Sequence, residues 1–212
     1  MARPTFITGL PRSRTAWLAV VCSTATSICH HEPVDGDIRA ARALWAAPGG
    51  WDYVGISEAF LGLHIARVLE EIGPRTLIVE RDPDEVLASF LRYVGLQGVR
   101  GPGEHDGLKA QLRLLRERLD AIPIDHPLVR RVAYGDLEDR DAVQVALGWL
   151  MPGVELLNLD QMLHMNVQSD LSFSLGKLRN RGESRNVAPA IAANNLADNR
   201  LADAQPLRQF SA

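Results

Sequence analysis

At 212 residues the chain is long enough for one α/β domain with a hydrophobic core and a tail, and short for two domains at about 100–200 residues each. Apolar residues at 46% and charged residues at 23% exclude collagen-like, wholly disordered and disulfide-framework classes. A net charge of -3 argues against a protein whose task is to coat nucleic acid, so any anion site must be local.

The chain alternates short β-rich runs with longer helical patterns, which predicts an α/β fold: a parallel sheet with crossover helices, in three α/β/α layers. Residues 4–8 (PTFIT) form the first predicted strand, ended by Gly9. A helix over 15–25 follows, with Trp17, Leu18, Val21 and Cys22 on one face. Strand 27–31 (SICHH) stops at Glu32 and Pro33, and a helical stretch over 38–46 runs into the break at 48–50. Next come strand 53–57 (YVGIS), helix 59–72 closed by Gly73 and Pro74, and strand 75–80 (RTLIVE). The helix after it carries its own start signal: Asp82 as N-cap, Pro83 as first helical residue and Glu85 as third. Residues 95–107 hold five glycines and a proline, which predicts a mobile, lid-like loop. A helix over 108–121, a strand over 128–134 and helices over 139–150 and 160–167 complete a sheet of four or five strands.

From residue 184 the periodic large apolar groups disappear, and such a segment cannot readily offset the entropy of ordering. The expected organisation is a domain over 1–167 and an extension over 168–212 that is loosely ordered or needs a partner. Cys22 and Cys29, the only cysteines, are too few for a four-ligand metal site and read as reduced, partly buried thiols. No apolar run reaches the roughly 18 residues that a membrane span needs. The expected setting is cytoplasmic, with neither nucleic acid nor membrane as partner.

Two junctions carry the residues with chemical potential. In Gly9-Leu10-Pro11-Arg12-Ser13-Arg14-Thr15-Ala16-Trp17, backbone amides before a helix can hold a phosphate, with Arg12 adding charge and Ser13 and Thr15 adding hydroxyls. The segment lacks the Gly-Lys pair of a Walker A loop, and an ordinary βα loop with two solvated arginines fits it equally well. In Arg81-Asp82-Pro83-Asp84-Glu85-Val86-Leu87-Ala88-Ser89, Arg81 ends the best-marked strand and Ser89 lies two turns into the next helix, so both can face one anion. The plainer alternative pairs Arg81 with Asp84 or Glu85 and leaves Ser89 as a small helix residue.

Together these segments resemble the sulfotransferase family, whose first turn reads approximately PKSGTTW or PRSGT and whose second motif reads RDPxxVxxS. The matches are Pro11, Arg12, Ser13, Thr15 and Trp17, then Arg81, Asp82, Pro83, Val86 and Ser89. A third similarity is Val132-Ala133-Tyr134-Gly135-Asp136-Leu137, which looks like the family's strand ending in YEDL, with Gly135 in place of Glu. Bacterial and carbohydrate-type members are nearest in pattern. The resemblance implies a P-loop-like fold and the cofactor 3'-phosphoadenosine-5'-phosphosulfate (PAPS), bound without a metal. It implies that Arg12, Ser13 and Thr15 hold the 5'-phosphosulfate side and that Trp17 stacks on the adenine, with Arg14 and Ala16 as further cofactor-binding candidates in the same loop. Arg81 and Ser89 then take the 3'-phosphate, and Tyr134 approaches the base. Trp17 reads equally well as a core aromatic, and Tyr134 as a strand-end residue packed on the surface.

Arg14 stands where the family has a loop glycine, so a positive φ there is costly, although its guanidinium can supplement Arg12 at the anion. The Lys-Thr-His segment that carries the base in cytosolic members is absent. Glu32, in Cys29-His30-His31-Glu32-Pro33, resembles the Glu of the YEP segment of carbohydrate sulfotransferases and is the candidate general base. His31 and His30 are alternatives, and adjacent strand residues point to opposite faces, so only one of them can face the site. A metal held by His30, His31 and Glu32 lacks a fourth ligand. Ser57 and Glu58 are further candidates to line the pocket, or a helix cap.

The activity implied is sulfuryl transfer from PAPS to a hydroxyl or amine of a small-molecule or carbohydrate acceptor, with Arg12 and Glu32 or His31 as catalytic residues. Two alternatives remain open in the sequence: an ATP-dependent P-loop small-molecule kinase, and a non-catalytic domain that keeps the fold for binding or assembly.

Overall fold

The structure is a computed structural model that describes residues 2–47, 49–96, 102–156 and 159–164. Its centre is a parallel sheet of five strands, β1 (Arg3–Gly9), β2 (Ser27–His31), β3 (Tyr53–Ser57), β4 (Arg75–Glu80) and β5 (Val129–Ala133), in the spatial order β2-β3-β1-β4-β5. The three inner strands are apolar nearly throughout because helices cover both sheet faces and leave no side wet. Phe6, Val54, Ile56 and Ile78 point into one buried layer with residues of α2 (Ile38–Ala46), α3 (Ile65–Glu71), α4 (Pro83–Leu96) and α5 (Pro102–Asp120). In that layer Trp45 meets Phe6 edge to face, ring centroids 6.2 Å apart, and donates its indole N–H to the Thr5 carbonyl at 3.2 Å. The alternate residues Ile7, Leu77 and Val79 are also buried, and face the side covered by α1 (Thr15–Val21) and α6 (Arg140–Leu150).

Several boundaries differ from expectation, each for a local reason. Helix α1 stops at Val21 rather than at 25, since the Ser23 hydroxyl turns back to the Ala19 carbonyl and accepts the Cys29 amide. The helix expected over 59–72 is a 3₁₀ turn, Phe60–His64, followed by α3, and Gly73 closes it at φ 69° with its amide on Val68 O. The loop expected over 95–107 is mostly helical: α4 continues through Leu96 and α5 begins at Pro102, taking in Gly103 and Gly107. Glycine inside a helix costs only about 1 kcal/mol, and Pro102 sits in the first turn, where its missing N–H does no harm. Residues 97–101 lie outside the described residues.

A short helix α7 (Leu159–Leu163) ends sooner than expected. The extension expected over 168–212 lies outside the described residues, which belong to the compact unit Met1–Met165. Cys22 and Cys29 are free and more completely buried than expected; burial pushes the Cys22 thiol up to about 12 and Cys29 well above its ordinary value. Among the described residues no helix is long and apolar enough to cross a membrane.

Candidate functional site

The strand order decides where a ligand can sit. From β1 the chain crosses to β2 at one edge of the sheet, and from β4 it crosses to β5 at the other, so the C-terminal ends of β1 and β4 open a crevice at a topological switch point. The two strands approach closely there. A Cβ on Gly9 would lie 2.6 Å from the Val79 carbonyl oxygen, so only glycine fits. The following loop contains two non-glycine residues in the left-handed region, Arg12 at φ 66° and Arg14 at φ 58°, each at a cost of about 1 kcal/mol. Ser57, fully buried at the end of β3, steadies the loop by donating its hydroxyl to the Thr15 carbonyl at 2.8 Å.

Of the cofactor-binding candidates, the structure brings Arg12, Arg81, Ser89 and Tyr134 together. Arg12 Nε lies 3.5 Å from Ser89 Oγ across 77 positions of sequence. Arg81 donates from Nη1 to the Arg12 carbonyl, pairs through Nε with Glu85 at 3.4 Å, and stacks on the Tyr134 ring with Cζ 4.0 Å from the centroid. Arg81 therefore makes the Glu85 pair of the plainer alternative and reaches the loop as well. Ser13 is fully buried, and its hydroxyl has no partner among the described residues. A buried hydroxyl without a partner costs about 1–3 kcal/mol.

Arg14 is placed differently from the expected supplement to Arg12. Its Nη1 donates to the Leu137 carbonyl at 2.9 Å and its Nη2 lies 3.3 Å from Glu138 Oε1. Its Cζ sits 5.6 Å from the Trp17 ring and 5.7 Å from the Tyr134 ring, so it ties the loop to the corner after β5. Trp17 is 3% exposed and donates its indole N–H to the Met162 carbonyl at 2.6 Å, the position of a core aromatic. Thr15 is buried and Ala16 half-buried at the start of α1.

The candidate bases lie at the same C-terminal end of the sheet but on its lateral strand β2, two strands from β1 at about 4.8 Å per strand. Glu32 is exposed, has φ 47°, and is anchored through its amide to the Ser57 carbonyl at 2.9 Å. His31 shares that carbonyl, with Nδ1 at 3.3 Å, and its Nε2 lies 3.8 Å from Glu32 Oε2. The strand alternation turns His30 to the other face, half-buried, and burial lowers its pKa from the ordinary value.

Glu58 is 1% exposed. Its two carboxylate oxygens accept from the Val34 amide at 3.2 Å and from the Gly36 amide. Burial raises its pKa; the two backbone bonds act downwards, and the nearby charges of Glu32 and Asp35 push upwards again. Sequence reasoning marked Glu58 only as lining or capping, because its partners lie 22 and 24 positions earlier in the chain.

No protein-family model matches the sequence, and a search of curated proteins finds no match. Among solved structures the chain is similar to the crystal structure of a sulfotransferase from Alicyclobacillus acidocaldarius, at a TM-score of 0.54 and 15% identity, over 97% of this chain and 98% of that one. At that identity the likeness is one of architecture. The protein has an α/β, sulfotransferase-like P-loop fold in which a five-stranded parallel sheet is flanked by helices.

Proposed function

We propose that the protein is a PAPS-dependent sulfotransferase acting on a hydroxyl or amine acceptor. The observation that carries this reading is the meeting of Arg12, Arg81 and Ser89 beside the buried, unpartnered hydroxyl of Ser13, at the crevice between β1 and β4. Two arginines and a hydroxyl meeting at this crevice suit a small, doubly phosphorylated nucleotide, since charge-assisted bonds to phosphate are among the strongest available. The sulfotransferase-like fold supports the same reading.

Bound PAPS would supply the sulfuryl group, with adenosine 3',5'-bisphosphate as leaving group. Arg12 and the hydroxyl of Ser13 would stabilise charge on the 5'-phosphate side, while Arg81 and Ser89 would hold the 3'-phosphate. Glu32 accepts the acceptor's proton as its oxygen or nitrogen attacks sulfur, and His31, 3.8 Å from Glu32, is the alternative base. Tyr134, stacked on Arg81, would lie beside the nucleotide base.

Titration with adenosine 3',5'-bisphosphate tests this directly. Saturation at about a hundred times Kd should stabilise the fold by about 2.7 kcal/mol, read as a rise in Tm. Arg81→Ala should weaken binding by about ten- to a hundredfold, matching the about 1.5–3 kcal/mol of a charged hydrogen bond. A chain that ignores this nucleotide at millimolar concentration but binds ATP in the presence of Mg²⁺ would overturn the proposal in favour of a kinase.

A further inference from the structure

We propose that Glu58 is a positioning residue that holds the turn from Glu32 to Gly36 in the backbone geometry that presents the Glu32 carboxylate to the acceptor. The inference rests on the reading of Glu32 as the base and goes beyond it by assigning a role to a neighbouring buried carboxylate.

The turn is an unfavourable one. Glu32 and Asp35 both have φ 47° and Gly36 has φ 75°, three left-handed residues within five positions. Each non-glycine residue there costs about 1 kcal/mol, and such a conformation persists only where surrounding contacts over-determine it. The contacts come from the end of β3. The Ser57 carbonyl accepts the Glu32 amide at 2.9 Å, and the Glu58 carboxylate accepts the amides of Val34 at 3.2 Å and of Gly36. Glu58 is itself immobilised, with its amide on the Ile7 carbonyl of β1 at 2.9 Å. The position of Glu32 is thereby referred to the central strand that leads into the anion loop.

A purely architectural role accounts poorly for this arrangement. Helix α2 follows the turn, but it has its own cap, since Asp37 Oδ1 accepts from the Arg39 amide at 2.7 Å and from Ala40 at 3.4 Å. The Glu58 bonds therefore serve residues 34–36 only. A carboxylate is suited to the task because its two oxygens each accept from a different N–H, whereas a side-chain amide would turn its NH2 toward one of those donors. It is also a costly choice. The group is 1% exposed, and burial together with the charges of Glu32 and Asp35 opposes its ionisation. Glu58 is less suited than Glu32 to act as the base, because each of its oxygens already accepts a backbone N–H and the residue is 1% exposed, whereas Glu32 is exposed.

The test uses the full chain, PAPS as donor and 2-naphthol as a probe acceptor. Glu58→Gln keeps the size but turns an N–H donor toward a backbone N–H; Glu58→Asp keeps both acceptors. We expect Glu58→Gln to lower kcat by about tenfold, the cost of a misoriented base, with KM for PAPS and Kd for adenosine 3',5'-bisphosphate within twofold of the parent. Glu58→Asp should recover part of the rate. In a Glu32→Gln background, Glu58→Gln should lower kcat no further, whereas an independent structural defect would multiply the two losses. Unchanged kcat in both Glu58 variants, or fully multiplicative losses, would overturn the positioning role while leaving the sulfotransferase reading intact. A parent chain that neither binds the nucleotide nor transfers sulfate to the probe would overturn both.

Discussion

Gly9 shows how little room the centre of the site has. The 2.6 Å that would separate its Cβ from the Val79 carbonyl oxygen is far inside van der Waals contact, and the clash is with backbone, which cannot rotate away. Gly9→Ala must therefore push β1 from β4 at the point where the crevice begins. We expect a loss of about 1–3 kcal/mol in unfolding free energy, measured by urea denaturation, together with weaker binding of adenosine 3',5'-bisphosphate. A glycine after a β-branched run was visible in the sequence as the end of a strand; that a neighbouring carbonyl forbids any other residue was not. Arg14 carries the complementary lesson. The sequence showed that a positive φ would be costly there, and the residue does adopt φ 58°. Its guanidinium, however, is directed to Leu137 and Glu138, more than 120 positions away, and no local pattern announces such a partner.

Helix α4 is the element most fully legible from local chemistry. Asp82 accepts from the amides of Asp84 at 2.8 Å and Glu85 at 3.1 Å, as the N-cap reading requires, and Pro83 opens the helix. The reciprocal arm of the cap is diverted, since the Glu85 carboxylate pairs with Arg81 instead. This cap also fixes the start of the helix that carries Ser89. Asp139 offers a matched cap, because it accepts from Asp141 and Ala142 at the start of α6, a helix that carries none of the candidate nucleotide-binding residues. Asp82→Ala and Asp139→Ala should each cost about 1 kcal/mol of stability by urea denaturation. Only Asp82→Ala should also weaken binding of adenosine 3',5'-bisphosphate, measured by calorimetry. Of residues 95–107, the described ones, 95–96 and 102–107, are helical rather than looped, because glycine content measures permissiveness and a glycine inside a helix costs only about 1 kcal/mol.

For the molecule as a whole, the buried titratable groups set how stability responds to pH. His30 has its pKa lowered by burial from an ordinary value of 6.5, so the folded chain holds fewer protons than the unfolded chain just below that value. Stability contributed by neutral His30 is present above about 6.5 and is lost as pH falls through the window beneath it. The urea midpoint of the parent should therefore drop between about pH 7.5 and about pH 5.5 by more than that of His30→Gln. Glu58 acts with the opposite sign. Its raised value means that the folded state holds the extra proton above the ordinary 4.5, so its contribution falls as pH rises through that window.

Local chemistry was enough to establish an α/β chain with parallel strands, the buried face of α1 and the cap of α4, and the resemblance singled out the two segments that supply Arg12, Arg81 and Ser89. Those features depend on residues within a few positions of one another, where periodicity, capping and turn preferences operate. The order β2-β3-β1-β4-β5 could not be read that way, because each strand's neighbours lie tens of residues off and several pairings satisfy the same apolar pattern. That order opens the crevice between β1 and β4, brings Arg12 to Ser89, and sets Ser57 and Glu58 under the turn that carries Glu32. These are contacts between distant parts of the chain, chosen by packing and by the need to satisfy buried polar groups, and only the folded tertiary structure decides them.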